Sequence, residues 1–332
     1  MESFSAFRIF NDEQGYRAAI TQLSLDDLTV GDVCIEVHYS SVNYKDALAG
    51  TGKGKILRQF PLNGGIDCSG IVLRSECPQF QVGDKVLVTG SGLSETYDGG
   101  YSQILRIAHQ HVIALPVGFS LRDAMILGTA GFTAGLALFR MLENRQTPEL
   151  GPIAITGATG GVGMIATGLF AKAGFAVHAV SGKPKHAEFL HNLGAEQVLS
   201  RESIMTEKAM ASTRFGGALD CVGGRMLSSL LAQTAPFGNV ASCGLIASAE
   251  LNTTVMPFII RGVSLLGIAS AGTERSVREH VWRLLAQYWD FGMLNRLPVE
   301  EISWSELPQV FNRMLSGQSF GRCIVKIRSD AC

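Results

Sequence analysis

Strand-length apolar runs fill the first third of the chain, Val33 to Tyr39, Gly70 to Leu73 and Lys85 to Thr89, the last entered through a Gly83-Asp84 turn. From Asp123 the pattern lengthens: DAMILGTAGFTAGLALFRMLEN predicts a helix, which Pro148 and Gly151-Pro152 break off. Ile153 to Thr156 then predicts a buried strand, Met164 to Lys172 a helix closing near Gly174, and Phe175 to Val180 the next strand. GALDCVGG and GNVASCGLIAS are short apolar runs ending at glycines, as parallel strands do where a ligand meets their carboxyl ends. Glu274 to Phe291 predicts a helix, and GRCIVKI a final strand. The fold class is therefore α/β: a Rossmann-type doubly wound parallel sheet beside a β-rich domain.

The most apolar long run, Val255 to Gly272, contains Pro257 and is interrupted by Arg261, so it predicts a buried or interface strand rather than a membrane span. MESFSAFRIF has no basic region leading into an apolar one, which argues against a signal peptide. No repeat and no low-complexity segment is visible.

A chain of 332 residues holds two domains, and a formal charge of −1 without a basic block makes nucleic acid a poor partner. Its seven cysteines (34, 68, 77, 221, 243, 323 and 332) form no CxxC pair and no even framework. They predict reduced thiols and a cytoplasmic location.

The chemistry begins at Gly157-x-x-Gly160-Gly161-x-Gly163, between a predicted strand and helix. Glycines there let the chain turn tightly and a pyrophosphate approach backbone N–H groups at a helix start. Thr159 and Val162 belong to the same turn. An NAD enzyme would carry an acid about 20 residues on, to accept from the ribose 2′-hydroxyl. This chain has Ser181, Gly182 and Lys183, and a hydroxyl, an N–H and an ammonium suit a 2′-phosphate. Arg201, just beyond Gln197-Val198-Leu199, is placed to close over the same group. These residues predict NADPH; the other reading of Lys183, Lys185 and Arg201 is solvated loop charge.

The landmarks SSVNYKDALAGTGKG, GIDCSGIV, VGDKVLVTG, GTAGFTAG, ITGATGGVG and MPFIIRGVSLLGI run in an order that resembles the medium-chain dehydrogenase/reductase superfamily over essentially the whole chain. Asn43-Tyr44-Lys45-Asp46, TGKGKILRQFP, SGKPKHAEFLHNLGA and TTVMPFIIRGVSLLGI together are most similar to its zinc-free quinone-oxidoreductase-like branch, which includes NADPH-dependent acryloyl-CoA reductases. The resemblance implies a GroES-like catalytic domain over 1–123, completed by 270–332, and a Rossmann NADPH-binding domain over 124–269.

Zinc relatives carry a Cys near position 43 and Gly-His-Glu where this chain reads Gly65-Ile66-Asp67, so no metal is expected. His109 and His111 read as strand-face residues. By the same resemblance, Tyr44 is the leading donor to the nicotinamide or the substrate carbonyl, a phenol being protonated at neutral pH; the alternative is a buried aromatic. Asn43 and Asp46 join it as catalytic candidates, with Asp46 also able to fix its loop through backbone N–H groups, and Lys45 is left without a role. Thr129, Gly244, Leu245, Ile268 and Ser270 match positions lining the nicotinamide, or are ordinary packing and strand-end residues. Lys53, Lys55 and Arg58 are placed to neutralise the phosphates of a CoA ester, or are plain surface cations.

The implied reaction is hydride delivery to Cβ of an α,β-unsaturated thioester, with protonation at Cα. Two alternatives stand beside it: reduction of a quinone or free enone, and an NADPH-binding sensor or structural protein without turnover. The apolar edge PFIIRGVSLLGIA implies a homodimer.

Overall fold

The computed structural model describes residues 3–289 and 291–328, with only the backbone of Phe291, so Cys332 lies outside the described residues. The chain divides into two compact units, one made of residues 1–129, 271–286 and 298–332, the other of 130–270 and 287–297. The first boundary falls after Thr129, and residues 287–297, after the helix Arg275–Tyr288, belong to the second unit.

In the first unit, VCIEVHYSS alternates about the strand, burying Val33, Ile35 and Val37 while Glu36 and His38 stay partly exposed. That strand, Val33–Ser41, pairs with Asp67–Ser75, Ile104–Ile107 and Arg322–Lys326 in a seven-stranded sheet that also holds Lys85–Thr89, Ile113–Ala114 and Val299–Ile302. The carboxyl-terminal strand thereby completes the sheet, with Ile324 opposite Ser41. A three-stranded sheet (Phe4–Asp12, Gly15–Leu23, Leu62–Asn63) contributes Phe7, Ile9 and Leu62 to the same core, where Tyr101 and Phe311 are also buried.

In the second unit six parallel strands lie in the order 197–199, 177–180, 153–156, 215–220, 234–242, 264–267. This is the doubly wound order, which reverses between Ile153–Thr156 and Phe215–Asp220. Ile153, Ala154 and Ile155 are fully buried, as a central parallel strand covered on both faces requires.

Three expectations change. The apolar run beginning at Val255 is not one strand: Pro257 sits in the first turn of the helix Met256–Arg261, Gly262 ends it with φ 62°, and only Ser264–Gly267 extends along the sheet edge. Nor is that run buried, since Ile259 is 72% and Ile260 57% exposed. His109 and His111 lie in a single helical turn rather than on a strand face, and His109 Nδ1 meets Asp32 Oδ2 at 2.6 Å. Helix Leu121–Glu143 is long and apolar enough to cross a membrane, yet most of its apolar stretch is buried within the fold. Gly128 breaks it at φ 51°.

Candidate active site

In the first unit the Asn43-Tyr44-Lys45-Asp46 stretch starts the helix Tyr44–Thr51, and its polar groups are tied inward. Asp46, only 2% exposed, takes the Asn43 amide on Oδ2 and the Ile66 amide on Oδ1, each at 2.8 Å. Burial, and then the Asp67 carboxylate nearby, pushes its pKa up to about 7. It fixes the loop through backbone N–H groups.

Asp67, at the start of Asp67–Ser75, gathers the remaining groups. Its Oδ2 accepts from Ser41 Oγ at 2.5 Å, Asn43 Nδ2 at 2.8 Å and the Thr129 amide at 2.8 Å, and its Oδ1 accepts from Thr129 Oγ1 at 2.5 Å. A second Asn43 Nδ2 contact, to Ser41 Oγ at 3.1 Å, turns the amide hydrogens inward. The break at Gly128 allows this approach, because a Cβ there would stand 2.7 Å from Asp67 Oδ2 and 2.8 Å from Ser41 Oγ. Buried Arg322 donates from Nε to the Ile126 carbonyl at 2.7 Å, and Tyr101 OH donates to the Ser41 carbonyl at 3.0 Å. Sequence reasoning passed over Asp67, Ser41 and Arg322; an acid inside the apolar frame GIDCSGIV was the available signal.

Tyr44, the first helical residue, is 39% exposed, so it is not a buried aromatic. Lys45 forms an ion pair with Glu95, and burial lowers its pKa. Arg58 reaches the same carboxylate at 4.0 Å. Lys53 and Lys55 are exposed in the turn that follows the helix.

In the second unit the glycine turn is closed by contact. A Cβ on Gly163 would lie 2.3 Å from the Gly157 carbonyl oxygen and 2.7 Å from Ala158 Cα, and Gly157 itself has φ 60°. Gly160 caps the helix Gly161–Lys172, Thr159 is buried, and Gly161 and Val162 start the helix partly exposed. These features fit a pyrophosphate held by backbone N–H groups.

Beyond Val177–Val180, Ser181 Oγ accepts from the Lys183 amide at 3.0 Å. The Arg201 guanidinium packs on Gly182, where a Cβ would be 2.9 Å from its Cζ. Burial and then the charges of Lys185 and Arg201 lower the Lys183 pKa, and His186 is lowered by burial and by both lysines. Three cations crowding one corner fit a phosphate dianion, whose charge would relieve their repulsion.

At the reversal of strand order, Thr156 Oγ1 donates to Asp220 Oδ1 at 2.7 Å and accepts from the Cys221 amide at 2.9 Å. A cleft of about 290 Å³ opens beside it, lined by Gly223, Gly224, Cys243, Gly244, Leu245 and Ile268 among others. Ser270 begins the short turn beyond Ile268 and is not among its lining residues.

Residues 29–117 match the alcohol dehydrogenase GroES-like domain and residues 161–287 the zinc-binding dehydrogenase family. The chain is 42% identical to the probable acrylyl-CoA reductase AcuI of Escherichia coli, across 93% of this chain and 95% of that protein. It is 40% identical to the putative quinone oxidoreductase YhfP of Bacillus subtilis, across 98% and 99%. The solved structure of the Salmonella enterica yhdH oxidoreductase with NADP superposes with a TM-score of 0.94 at 40% identity, covering 98% of this chain and 100% of that one. That of Bacillus subtilis yhfP holds NAD and superposes at 0.93, with 39% identity and the same coverage.

The residues here do not fit a zinc ion. Asp67 already accepts four donors, and Asn43 offers an amide N–H where a ligand would need a lone pair. Burial pushes the Cys68 thiol well up. Among the described residues, no group of three or more His, Cys, Asp or Glu converges.

Proposed function

The chain belongs to the medium-chain dehydrogenase/reductase superfamily, and from that premise we propose that it is an NADPH-dependent reductase of α,β-unsaturated thioesters, acting on acryloyl-CoA. The observation that carries the cofactor half is the Ser181, Gly182, Lys183 and Arg201 corner, which offers cations where an NAD site offers a carboxylate. The substrate half is supported by the likeness to a protein named acrylyl-CoA reductase. When bound, NADPH supplies a hydride for the substrate Cβ.

The protein's own tasks are to hold the thioester oxygen as charge moves onto it and to provide a proton for Cα. Tyr44 does the first with its hydroxyl and is the candidate for the second. Asn43 and Asp46 act as positioning groups, since the Asn43 amide points to Asp67 and Ser41 and both Asp46 oxygens hold backbone N–H groups. Thr129 is held in the same network. Lys53, Lys55 and Arg58 meet the CoA phosphates from their exposed turn. Gly244, Leu245, Ile268 and Ser270 accept the nicotinamide end. The activity is cytoplasmic, in keeping with six free cysteines among the described residues.

Steady-state NADPH oxidation with acryloyl-CoA, crotonyl-CoA and a simple quinone, with NADH as the cofactor control, tests this. A lead for acryloyl-CoA in kcat/KM of about a hundredfold or more is the expected result, with Tyr44→Phe lowering kcat about a hundredfold. A lead for the quinone would overturn the thioester half and favour quinone reduction, the reading suggested by the likeness to a putative quinone oxidoreductase.

The protein also works as a homodimer in this reading. Among the described residues, Ser264–Gly267 pairs on one side only, with Thr234–Ser242, beside the exposed Ile259, Ile260 and Leu265. A monomeric mass by light scattering at micromolar concentration would remove that assignment.

A further inference from the structure

Two cysteines lie side by side under the cleft of the second unit. Asp220 stands opposite Ser242 on neighbouring parallel strands, so Cys221 and Cys243 leave the sheet together. The Cys243 amide donates to the Asp220 carbonyl at 3.0 Å, and the two sulfurs are 3.7 Å apart. Neighbouring strands are spaced about 4.8 Å, and a disulfide needs Cα atoms roughly 4.4–6.8 Å apart with sulfurs at about 2 Å. The backbone frame therefore suits a bond that side-chain rotation would complete. Of the six described cysteines, the other four are buried.

Closing that gap would disturb the cleft. Cys243 lines it directly. Cys221 Cβ is 3.4 Å from the point a Cβ on Gly157 would occupy, and a Cβ on Gly244 would meet the Cys221 carbonyl oxygen at 2.0 Å. The chain around Cys221 thus lies between the phosphate turn and the Gly244-Leu245 lip, with its closest approach at Gly244. Rotating the Cys243 sulfur toward Cys221 changes the wall that the cleft presents to a cofactor.

We propose that Cys221 and Cys243 are a modification site for hydroperoxides, forming a disulfide in the wall of the cofactor cleft that weakens cofactor binding. The sulfur of Cys243, a residue that lines the cleft, attacks one peroxide oxygen: an S–O bond forms, the O–O bond breaks, and water leaves once the oxygen takes a proton. Cys221 then attacks the sulfenic sulfur of Cys243. An S–S bond forms, the S–O bond breaks, and the thiol proton departs with the hydroxyl as a second water. Two thiols are oxidised by two electrons and one hydrogen peroxide is reduced to two waters. Cys221 suits the resolving role because its sulfur already lies 3.7 Å from that of Cys243; its hydrogen bond with Cys243 and its burial hold its thiol well above the usual range, which makes this second step the slower one.

The effect on cofactor rests on the NADPH reading above, so the experiment measures the bond and the binding separately. Trypsin cuts after Arg214, Arg225 and Arg261, which puts Cys221 and Cys243 on different peptides, residues 215–225 and 226–261. The reduced full-length protein is treated with a small excess of hydrogen peroxide, with and without saturating NADPH, then blocked with an alkylating agent, digested and weighed. A linked 215–225/226–261 peptide is expected, formed more slowly when NADPH is bound. NADPH titration by fluorescence should show affinity lowered at least about tenfold after oxidation and restored by dithiothreitol, with Cys221→Ser giving no linked peptide and no such loss. Oxidation of Cys243 to sulfinic acid without a linked peptide would overturn the site. A linked peptide with unchanged affinity would overturn the effect on cofactor binding. Failure of the reduced protein to bind NADPH would instead sink the cofactor reading while leaving the bond itself measured.

Discussion

The glycine turn after Ile153–Thr156 and the polar knot around Asp67 are both densely packed, yet they are made of different material. At the heart of the turn nothing can be added: a Cβ on Gly163 would strike backbone at 2.3 Å, so the turn offers a ligand main chain rather than side chains. In the knot nothing can be removed: Ser41, Asn43 and Thr129 all give their hydrogens to one carboxylate. A pyrophosphate has the same shape in every cofactor, so backbone suffices to hold it. A reaction needs particular functional groups at fixed places, and only side chains held by other side chains provide them.

Gly163→Val should produce the largest effect. With backbone at 2.3 Å and 2.7 Å and no flexible neighbour to give way, NADPH affinity is expected to fall by more than about a hundredfold, or the second unit to lose its fold. Fluorescence titration and thermal melting would show which. A variant that binds normally would break the contrast on the backbone side.

Asp67→Ala strips the acceptor from three side chains and one amide at once. The expected cost is about 3–5 kcal/mol of stability, with turnover lowered at least about tenfold because Asn43 and Thr129 lose their anchor. Asp67→Asn retains one acceptor oxygen and should fall between alanine and wild type in both melting temperature and kcat. Equal kcat in all three proteins would show that the knot is structural alone.

Asp46 gives a pH test. Its folded pKa of about 7 lies above the unfolded carboxyl value near 3.8, so the folded state binds the extra proton between the two. Stability is then greatest below the unfolded value and declines as pH rises through about 7, by up to about 4 kcal/mol for so buried a group. Chemical denaturation from pH 4 to 8 should show that decline, and Asp46→Asn should flatten it. A wild-type profile that rises over this range would contradict the assignment.

The smallest expected effect is at the cationic corner. Lys183→Ala combined with Arg201→Ala should lower the NADPH-to-NADH ratio of kcat/KM about ten- to a hundredfold, while kcat with NADH changes little. An unchanged ratio would leave these residues as solvated charges.

Much of this was legible locally. Ile153 to Thr156 and Lys85 to Thr89 form strands at the residues their apolar runs mark out, because a short continuous apolar run bounded by turn residues can be buried on both faces. The glycine spacing announced its turn, and strand–helix–strand logic put Arg201 near Ser181. Tyr44 was legible as a motif residue, although its exposure was not.

By itself, then, the sequence determined where strands and helices form and where the chain must turn, since periodicity, proline and glycine act over a few residues. The apolar run at Val255 marks the limit of that rule: hydrophobicity predicted burial, while Pro257 and Gly262 dictated a helix and a stop. Only the tertiary structure decided that Asp67 meets Thr129, 62 residues away, and that Cys221 meets Cys243. Those contacts depend on strand order and register, which are settled by packing the whole sheet and leave no mark on neighbouring residues.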